Sequence, residues 1–377
     1  MDEGALRGLC RRPAVKARAG QLEAAIEWIR AREPAEREMV VARPVNGQGD
    51  TLLHFACRNA HAVELVTALL QLTTDVAVAA AVNRRNKVGH TALHEAALSG
   101  AADLVPLLLS CGADVNRTKQ ADWTALHLAA SRAENLATLL ALLAAPGRRV
   151  DLQNRDGWTP LHVACQQGDA QMVSALLSAD PTQVGVMSTT GSSPVMTAAL
   201  HGHQATVQLL LAHGASPTHE NSSGWNVYAS AVAGGHHALL AFLRTADPEQ
   251  FRAVVQGYRN ALGQSLLHMA AHIGDGDVFF ATTPADALAT LILLLSENQT
   301  VEALGARDKY GATPLHLAAK AGHAAHARTL LKYGADPEAR DHRENTPLIL
   351  AERFQHAETA RILRAVASPL QSKDTVN

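Results

Sequence analysis

GWTPLHVACQQGDA, residues 157–170, decides how this chain is read. Thr159 stands just before an apolar run, where its side-chain oxygen can accept an unpaired amide hydrogen of a first helical turn. Pro160 has the fixed φ that suits the first helical position. Ala164 and Cys165 give the helix a small face, and Gly168 supplies a left-handed stop. A second helix follows in MVSALLS, its leucines spaced to fill a seam with a neighbouring element.

The same unit recurs as GDTLLHFAC from Gly49, GHTALHEAA from Gly89, DWTALHLAA from Asp122 and GSSPVMTAA from Gly191. It continues as GWNVYASAV from Gly224, GQSLLHMAA from Gly263, GATPLHLAA from Gly311 and ENTPLILAE from Glu344. The capping positions are Thr51, Thr91, Thr124, Thr159, Ser193, Asn226, Ser265, Thr313 and Thr346, separated by 40, 33, 35, 34, 33, 39, 48 and 33 residues. A period near 33 carrying T-P-L-H-x-A resembles the ankyrin repeat family from about Asn46 to Leu363. The expected fold is an all-α repeat solenoid of about nine ankyrin repeats, each a helix-turn-helix with a β-turn finger. No single repeat can bury its apolar face alone, so neighbours share one core and function sits on the faces left open.

Domain organisation follows from where the motif stops. Residues 1–45 are expected to form an N-terminal helical cap and a loop, with Gly20, Leu22, Ile26 and Ile29 marking a degenerate repeat. Residues 46–364 form the repeat domain, and residues 365–377, short and polar, a flexible tail. The sixth unit replaces T-P-L-H by Asn226, Val227, Tyr228 and Ala229, and the fifth carries Met196 in place of histidine, so this pair is expected to be the weakest joint. Insertions follow at Thr245 to Leu262 and at Asp275 to Pro284, the second holding Phe279 and Phe280 as either core or contact residues.

Composition narrows the function. Of 377 residues, 71 are alanine and 18% are charged, with 33 Lys plus Arg against 35 Asp plus Glu. That balance offers no positive field for nucleic acid or an anionic membrane. The N-terminal residues lack an apolar signal segment, and no apolar run approaches the ~20 residues of a spanning helix. Four cysteines, at 10, 57, 111 and 165, include no C-x-x-C pair, so neither a disulfide framework nor a zinc site is expected. The expected location is the cytoplasm, with the nucleus as an alternative, and the expected state is a monomer.

Nineteen histidines invite a catalytic or metal reading. Yet His54, His94, His127, His162, His268 and His316 share one repeat slot, where the family resemblance implies bonds to backbone and the neighbouring turn. His203, His236 and His323 follow the helix-ending glycine at a second slot. His94-Glu95 begins like H-E-x-x-H, but Leu98 breaks it. No phosphate-binding glycine loop or nucleophile elbow occurs. No enzyme activity, cofactor or metal is expected.

The resemblance places binding on the finger tips and the open face of each first helix. Three of the four tryptophans, Trp123, Trp158 and Trp225, immediately precede a cap, and tryptophan is favoured at interface hot spots. Around them stand Lys119, Asp122, Arg155, Asp156, Lys309 and Tyr310, with Arg132 and Gln166 extending the surface from the first helices. The expected function is a non-catalytic scaffold or adaptor for a protein partner. KQADWTALHLA and NRDGWTPLHVACQQGD also resemble a branch of the family associated with a tRNA synthetase, whose lysines accept wrongly activated amino acids. The matching positions here are Gln120, Arg155 and Gly185, none an acceptor amine, although Lys119 is adjacent. Accessory function for an aminoacyl-tRNA synthetase and substrate recruitment for a ubiquitin ligase stand as alternatives.

Overall fold

The computed structural model describes residues 43–58, 63–71, 75–273, 283–297 and 301–367, with positions 27, 29–33 and 36. Most of the N-terminal cap, Phe279 and Phe280, and the tail beyond 367 lie outside the described residues. The chain divides into two compact units, Met1–Thr189 and Thr190–Asn377. Both are built of helices, and among the described residues the β structure is a single bridge, Thr118 to Thr124.

The first unit holds α1 (Leu52–Arg58), α2 (Val63–Gln71), α3 (Asp75–Val82), α4 (Ala92–Ser99), α5 (Leu104–Ser110), α6 (Ala125–Ala130), α7 (Leu136–Leu143), α8 (Pro160–Gln167) and α9 (Ala170–Ala179). The opening helices of its four repeats, α1, α4, α6 and α8, pack in succession. Their small faces, Ala96 with Ala97, Ala129 with Ala130, and Ala164 with Cys165, are fully buried between them. The second helices α5, α7 and α9 seal the other layer with Leu104, Leu108, Leu139, Leu142, Met172 and Leu176. Each such side chain contributes roughly 1.5–3 kcal/mol by leaving water.

The second unit holds α10 (Pro194–Leu200), α11 (Gln204–Ala212), α12 (Val227–Ala233), α13 (His237–Ala246), α14 (Pro248–Gly257), α15 (Leu266–His272), α16 (Pro284–Glu297), α17 (Val301–Leu304), α18 (Pro314–Ala321), α19 (Ala324–Lys332), α20 (Pro347–Arg353) and α21 (Ala357–Ala367). Here α10, α12, α15, α18 and α20 form the succession of first helices. The three long intervals of the repeat are explained by added helix. The first inserts α3, tied to the next repeat by Asn83, whose amide donates to the Gly112 carbonyl at 2.7 Å and whose oxygen accepts from the Asp114 amide at 2.9 Å. Another inserts α14, and the longest contains the 14-residue α16 followed by α17.

Glycines end the first helices for two reasons. Gly100, Gly168 and Gly322 take left-handed φ of 75°, 76° and 81°. Space matters equally: a Cβ on Gly202 or Gly322 would lie 2.5 Å from the ring of His236 or His356 in the following repeat. Those rings donate from Nε2 to the Leu200 and Lys320 carbonyls, at 2.9 and 3.0 Å. Asn135 plays the same part over Gly100, donating to the Ala97 carbonyl at 2.8 Å.

The sixth repeat is better supported than its sequence indicates. Tyr228 is buried, its ring edge-on to Phe251 of α14 at 5.9 Å and its hydroxyl donating to Gln250 at 3.0 Å. The Tyr258 hydroxyl donates to the Gly224 carbonyl at 2.6 Å. The insertion after α13 thus supplies contacts that the lost consensus residues do not. In the fifth repeat no such repair is seen at the cap: Ser193 Oγ is buried without a hydrogen-bond partner, because Met196 stands where other repeats place an imidazole.

Candidate functional site

The capping residue and the histidine three positions on form one device. In the first unit the amides of Thr51, Thr91 and Thr124 donate to Nδ1 of His54, His94 and His127 at 3.2, 3.2 and 3.3 Å. Nδ1 is therefore the acceptor, and Nε2 carries the proton. It donates to the carbonyl preceding the next cap: His54 to His90 at 2.9 Å, His94 to Trp123 at 3.2 Å, His127 to Trp158 at 2.9 Å. In the second unit His268 and His316 reach Ala312 and Asn345, both at 3.0 Å. Burial pushes the pKa of His94 and His127 down to about 4, so both stay neutral with both nitrogens engaged. These rings are structural staples and not free bases. Cys57 and Cys165 are sealed in the core, and burial raises both thiols far above their ordinary range.

The fingers are held by a second device. Five residues before the cap, an Asn or Asp accepts two amides at once: Asn154 Oδ1 takes those of Asp156 and Trp158, both at 2.9 Å. Asn86, Asn221, Asn260, Asp308 and Asp341 repeat this arrangement. Successive tips are joined by backbone rungs, Arg155 N to Ala121 O at 3.0 Å and Thr189 N to Asp156 O at 3.0 Å in the first unit. In the second unit the rungs run from Lys309 N to Leu262 O and from His342 N to Tyr310 O, both at 2.9 Å.

Two fingers carry another residue at this position, Ser188 before the cap Ser193 and Lys119 before the cap Thr124. Lys119 occupies the anchoring position with no oxygen to accept the two amides; the backbone bond common to the other fingers remains, Lys119 N to Trp123 O at 2.8 Å, while Ala121 and Asp122 both take φ 61°. Neither is glycine, so the backbone holds a conformation of order 1 kcal/mol per residue above relaxed. The exception frees a long cationic side chain, and the Lys119 ammonium lies 5.5 Å from the centre of the Trp123 ring. Partial burial lowers the pKa of that amine.

The indoles are half-buried. Trp123 leans on His127 at 5.6 Å between ring centres, and Trp158 stacks on His162 at 6.1 Å. Each thus rests on its own repeat and still offers surface. Lys119, Asp122, Trp123, Arg155, Asp156 and Trp158 stand together on two adjacent fingers of the first unit, with Asp122, Arg155 and Asp156 exposed. Gln166 lies in the last turn of α8. Arg132 is a correction to the sequence reading: α6 ends at Ala130, so Arg132 lies in the turn beyond it, exposed and 3.8 Å from Glu134. Trp225, Lys309 and Tyr310 belong to the second unit, on two fingers with that of Asn260 between them.

The two fingers nearest the first described helix carry charge in place of indoles. Arg58 donates to Asp50 and to Glu95 at 2.8–3.0 Å, and His90 Nδ1 lies 3.0 Å from Glu95. Burial alone would raise both carboxyls; the bonds to Arg58 and neighbouring side chains outweigh it and hold both below their ordinary values.

Among the described residues no group of three His, Cys, Asp or Glu could hold a metal ion. No described helix is long and apolar enough to cross a membrane. Family profiles agree with the geometry. Ankyrin repeats (3 copies) match residues 14–119 and 117–185, a single ankyrin repeat matches 190–222, and ankyrin repeats (many copies) match 295–351. This chain belongs to the ankyrin repeat family. Its ankyrin repeats are similar to the B-cell lymphoma 3 protein homolog of Mus musculus, 32% identical over 218 residues, 56% of this chain and 46% of that protein. They are also similar to the nuclear factor NF-kappa-B p105 subunit of Gallus gallus, 36% identical over 87 residues, 23% of this chain and 9% of that one. A third relative, the Notch-regulated ankyrin repeat-containing protein of Xenopus laevis, is 37% identical over 75 residues, 20% of this chain and 63% of that one. The match spans less than half the length of the first two relatives. Such ankyrin relatives support protein interaction as the general role.

Two features of the fingers escaped the sequence reading: the Asn or Asp anchor, and its replacement by Lys119. Both are visible as the spacing N/D-x-x-G-x-T/S/N, kept around Asn86, Asn154, Asn221, Asn260 and Asp308, varied at Ser188 and at Glu344, and lacking both anchor and glycine in the finger of Lys119.

Proposed function

We propose that this ankyrin chain is a non-catalytic scaffold that captures a protein partner on the finger tips of its first unit, with Trp123 and Trp158 at the centre. The observation that carries this reading is the pair of half-buried indoles on adjacent fingers, the first in a strained turn that brings Lys119 over its ring. Large aromatic anchors with a mixed-charge rim suit a standard interface, roughly 800 Å² per partner. Affinity purification with mass spectrometry, comparing wild type with Trp123→Ala/Trp158→Ala, tests it. A partner retained equally by both proteins refutes the site.

A second reading is favoured by the lowered pKa of Lys119, which raises the share of neutral amine. In it the chain assists an aminoacyl-tRNA synthetase and Lys119 accepts misactivated amino acid. Incubation with the synthetase, the wrong amino acid and ATP, followed by intact mass measurement, decides it: an adduct lost in Lys119→Arg supports the reading, and an unmodified chain ends it.

A further inference from the structure

The second unit contains a cavity of about 390 Å³ that the tryptophan fingers do not share. Its floor is apolar, made by Ala312, Leu317 and Leu350, and its mouth is framed by Tyr310 and Phe354. These are 61% and 46% exposed, the highest values among large apolar side chains described in this unit. Folding alone does not account for both rings being left in water beside one concavity.

The exposed charge around the mouth is mainly positive. Lys320 holds its ammonium 6.0 Å from the centre of the Phe354 ring, Arg343 also lines the cavity, and so does Arg353, which donates to Asn345 Oδ1 at 2.7 Å. Two carboxylates lie there as well, but both serve the fingers. Asp308 accepts the amides of Tyr310 and Ala312 at 2.8 and 2.9 Å and is buried. Asp341 accepts the amides of Arg343 and Asn345, at 2.8 and 2.9 Å, and the Asn345 side chain on both oxygens. The nearby acids Glu344 and Glu352 are paired with Arg340 and Arg364 at 3.3 and 2.6 Å. Lys320 and Arg343 thus stand exposed beside an apolar recess, while the carboxylates accept finger hydrogen bonds or are paired with arginines.

We propose that this recess is a second protein-docking site, which takes a linear segment of another protein presenting one aromatic or aliphatic anchor close to Asp or Glu. The anchor enters between Tyr310 and Phe354, and its carboxylate neighbours lie over Lys320 and Arg343. At about 390 Å³ the recess admits one large side chain and its flanking backbone, not a folded surface. The proposal is independent of Trp123 and Trp158, which stand in the other unit.

The test is selection of phage-displayed random dodecapeptides on the full chain, with enriched sequences remade as fluorescein-labelled peptides for anisotropy titration. Enriched peptides are expected to carry Phe, Leu, Trp or Met within three residues of Asp or Glu, and to bind more weakly as salt rises. Replacing the anchor by Ala, or the protein's Phe354→Ala or Lys320→Glu, is expected to weaken binding at least tenfold. Both protein substitutions lie on exposed side chains, and unfolding midpoints matching wild type verify the fold. Trp123→Ala/Trp158→Ala is expected to leave these peptides unaffected. The proposal is overturned by failure to enrich any peptide over blank support, by basic peptides, or by peptides indifferent to both Phe354→Ala and Lys320→Glu. It is equally overturned if light scattering shows self-association that Phe354→Ala abolishes, since the occupant is then a second copy of this chain.

Discussion

His127 Nε2 donates to the carbonyl of Trp158 at 2.9 Å, so a residue at the centre of the proposed docking site is held by the imidazole of the preceding repeat. The ring is buried, its Nδ1 takes the Thr124 amide, and its neutrality is enforced by desolvation.

Substituting His127→Ala strips partners from a buried amide and from the carbonyl of the next finger. A loss of about 2–3 kcal/mol is expected in urea unfolding. The pH dependence has a definite sign. His94 and His127 fall from 6.5 in the unfolded chain to about 4 when folded, so their contribution is complete above pH 6.5 and is lost as pH falls toward 4. Asp50 and Glu95, also lowered, withdraw theirs at the acid end of the same descent. Urea midpoints measured from pH 8 to pH 4 are expected to be flat above 7 and to fall below 6.5, with a shallower fall in His127→Ala.

Met196→His is expected to stabilise the fifth repeat. It offers the buried Ser193 Oγ the partner that it lacks and restores the staple of the other repeats. A gain of about 1 kcal/mol, one net hydrogen bond, is expected in the same unfolding experiment.

Gly322 and Gly334 separate two reasons for glycine. Both have left-handed φ, 81° and 95°, but only Gly322 lies under the His356 ring, and nothing is within 4 Å of a Cβ at Gly334. Gly334→Ala is expected to cost about 1 kcal/mol of backbone strain. Gly322→Ala is expected to cost clearly more, because the ring must move and give up the Lys320 carbonyl. Equal midpoints for the two variants would show that the ring yields freely.

Helix α14 is expected to make the sixth repeat as protected as its neighbours. Phe251 is fully buried against Tyr228, and Phe251→Ala is expected to cost about 3–5 kcal/mol. Hydrogen exchange in wild type should show residues 227–258 no faster than 266–272. In Phe251→Ala that stretch should become the fastest in its unit.

How much of this was legible in the sequence depends on whether a residue acts inside its own repeat or on the next one. Thr159, Pro160, Ala164 and Gly168 act locally, through caps and a small face, and their spacing revealed the fold. The repair of the sixth repeat was not legible, because Tyr228 needs Phe251, 23 residues away in an inserted helix. Trp123 and Trp158 could be placed on adjacent finger tips by counting from the caps. The ammonium over Trp123 could not, since it depends on a turn that Ala121 and Asp122 enter against their own backbone preference. Arg132 was misplaced for a simple reason: α6 stops two residues earlier, counted from its cap, than the helix of Gln166 does, ending at Ala130 with Ser131 as its C-cap.

The most direct measurement is the affinity of the captured native partner for wild type and for Trp123→Ala/Trp158→Ala, with unfolding midpoints recorded alongside. A loss of about 2 kcal/mol or more, roughly thirtyfold in Kd, at an unchanged midpoint is the expected result. An unchanged Kd, or a loss that merely follows unfolding, would contradict the role assigned to the two indoles.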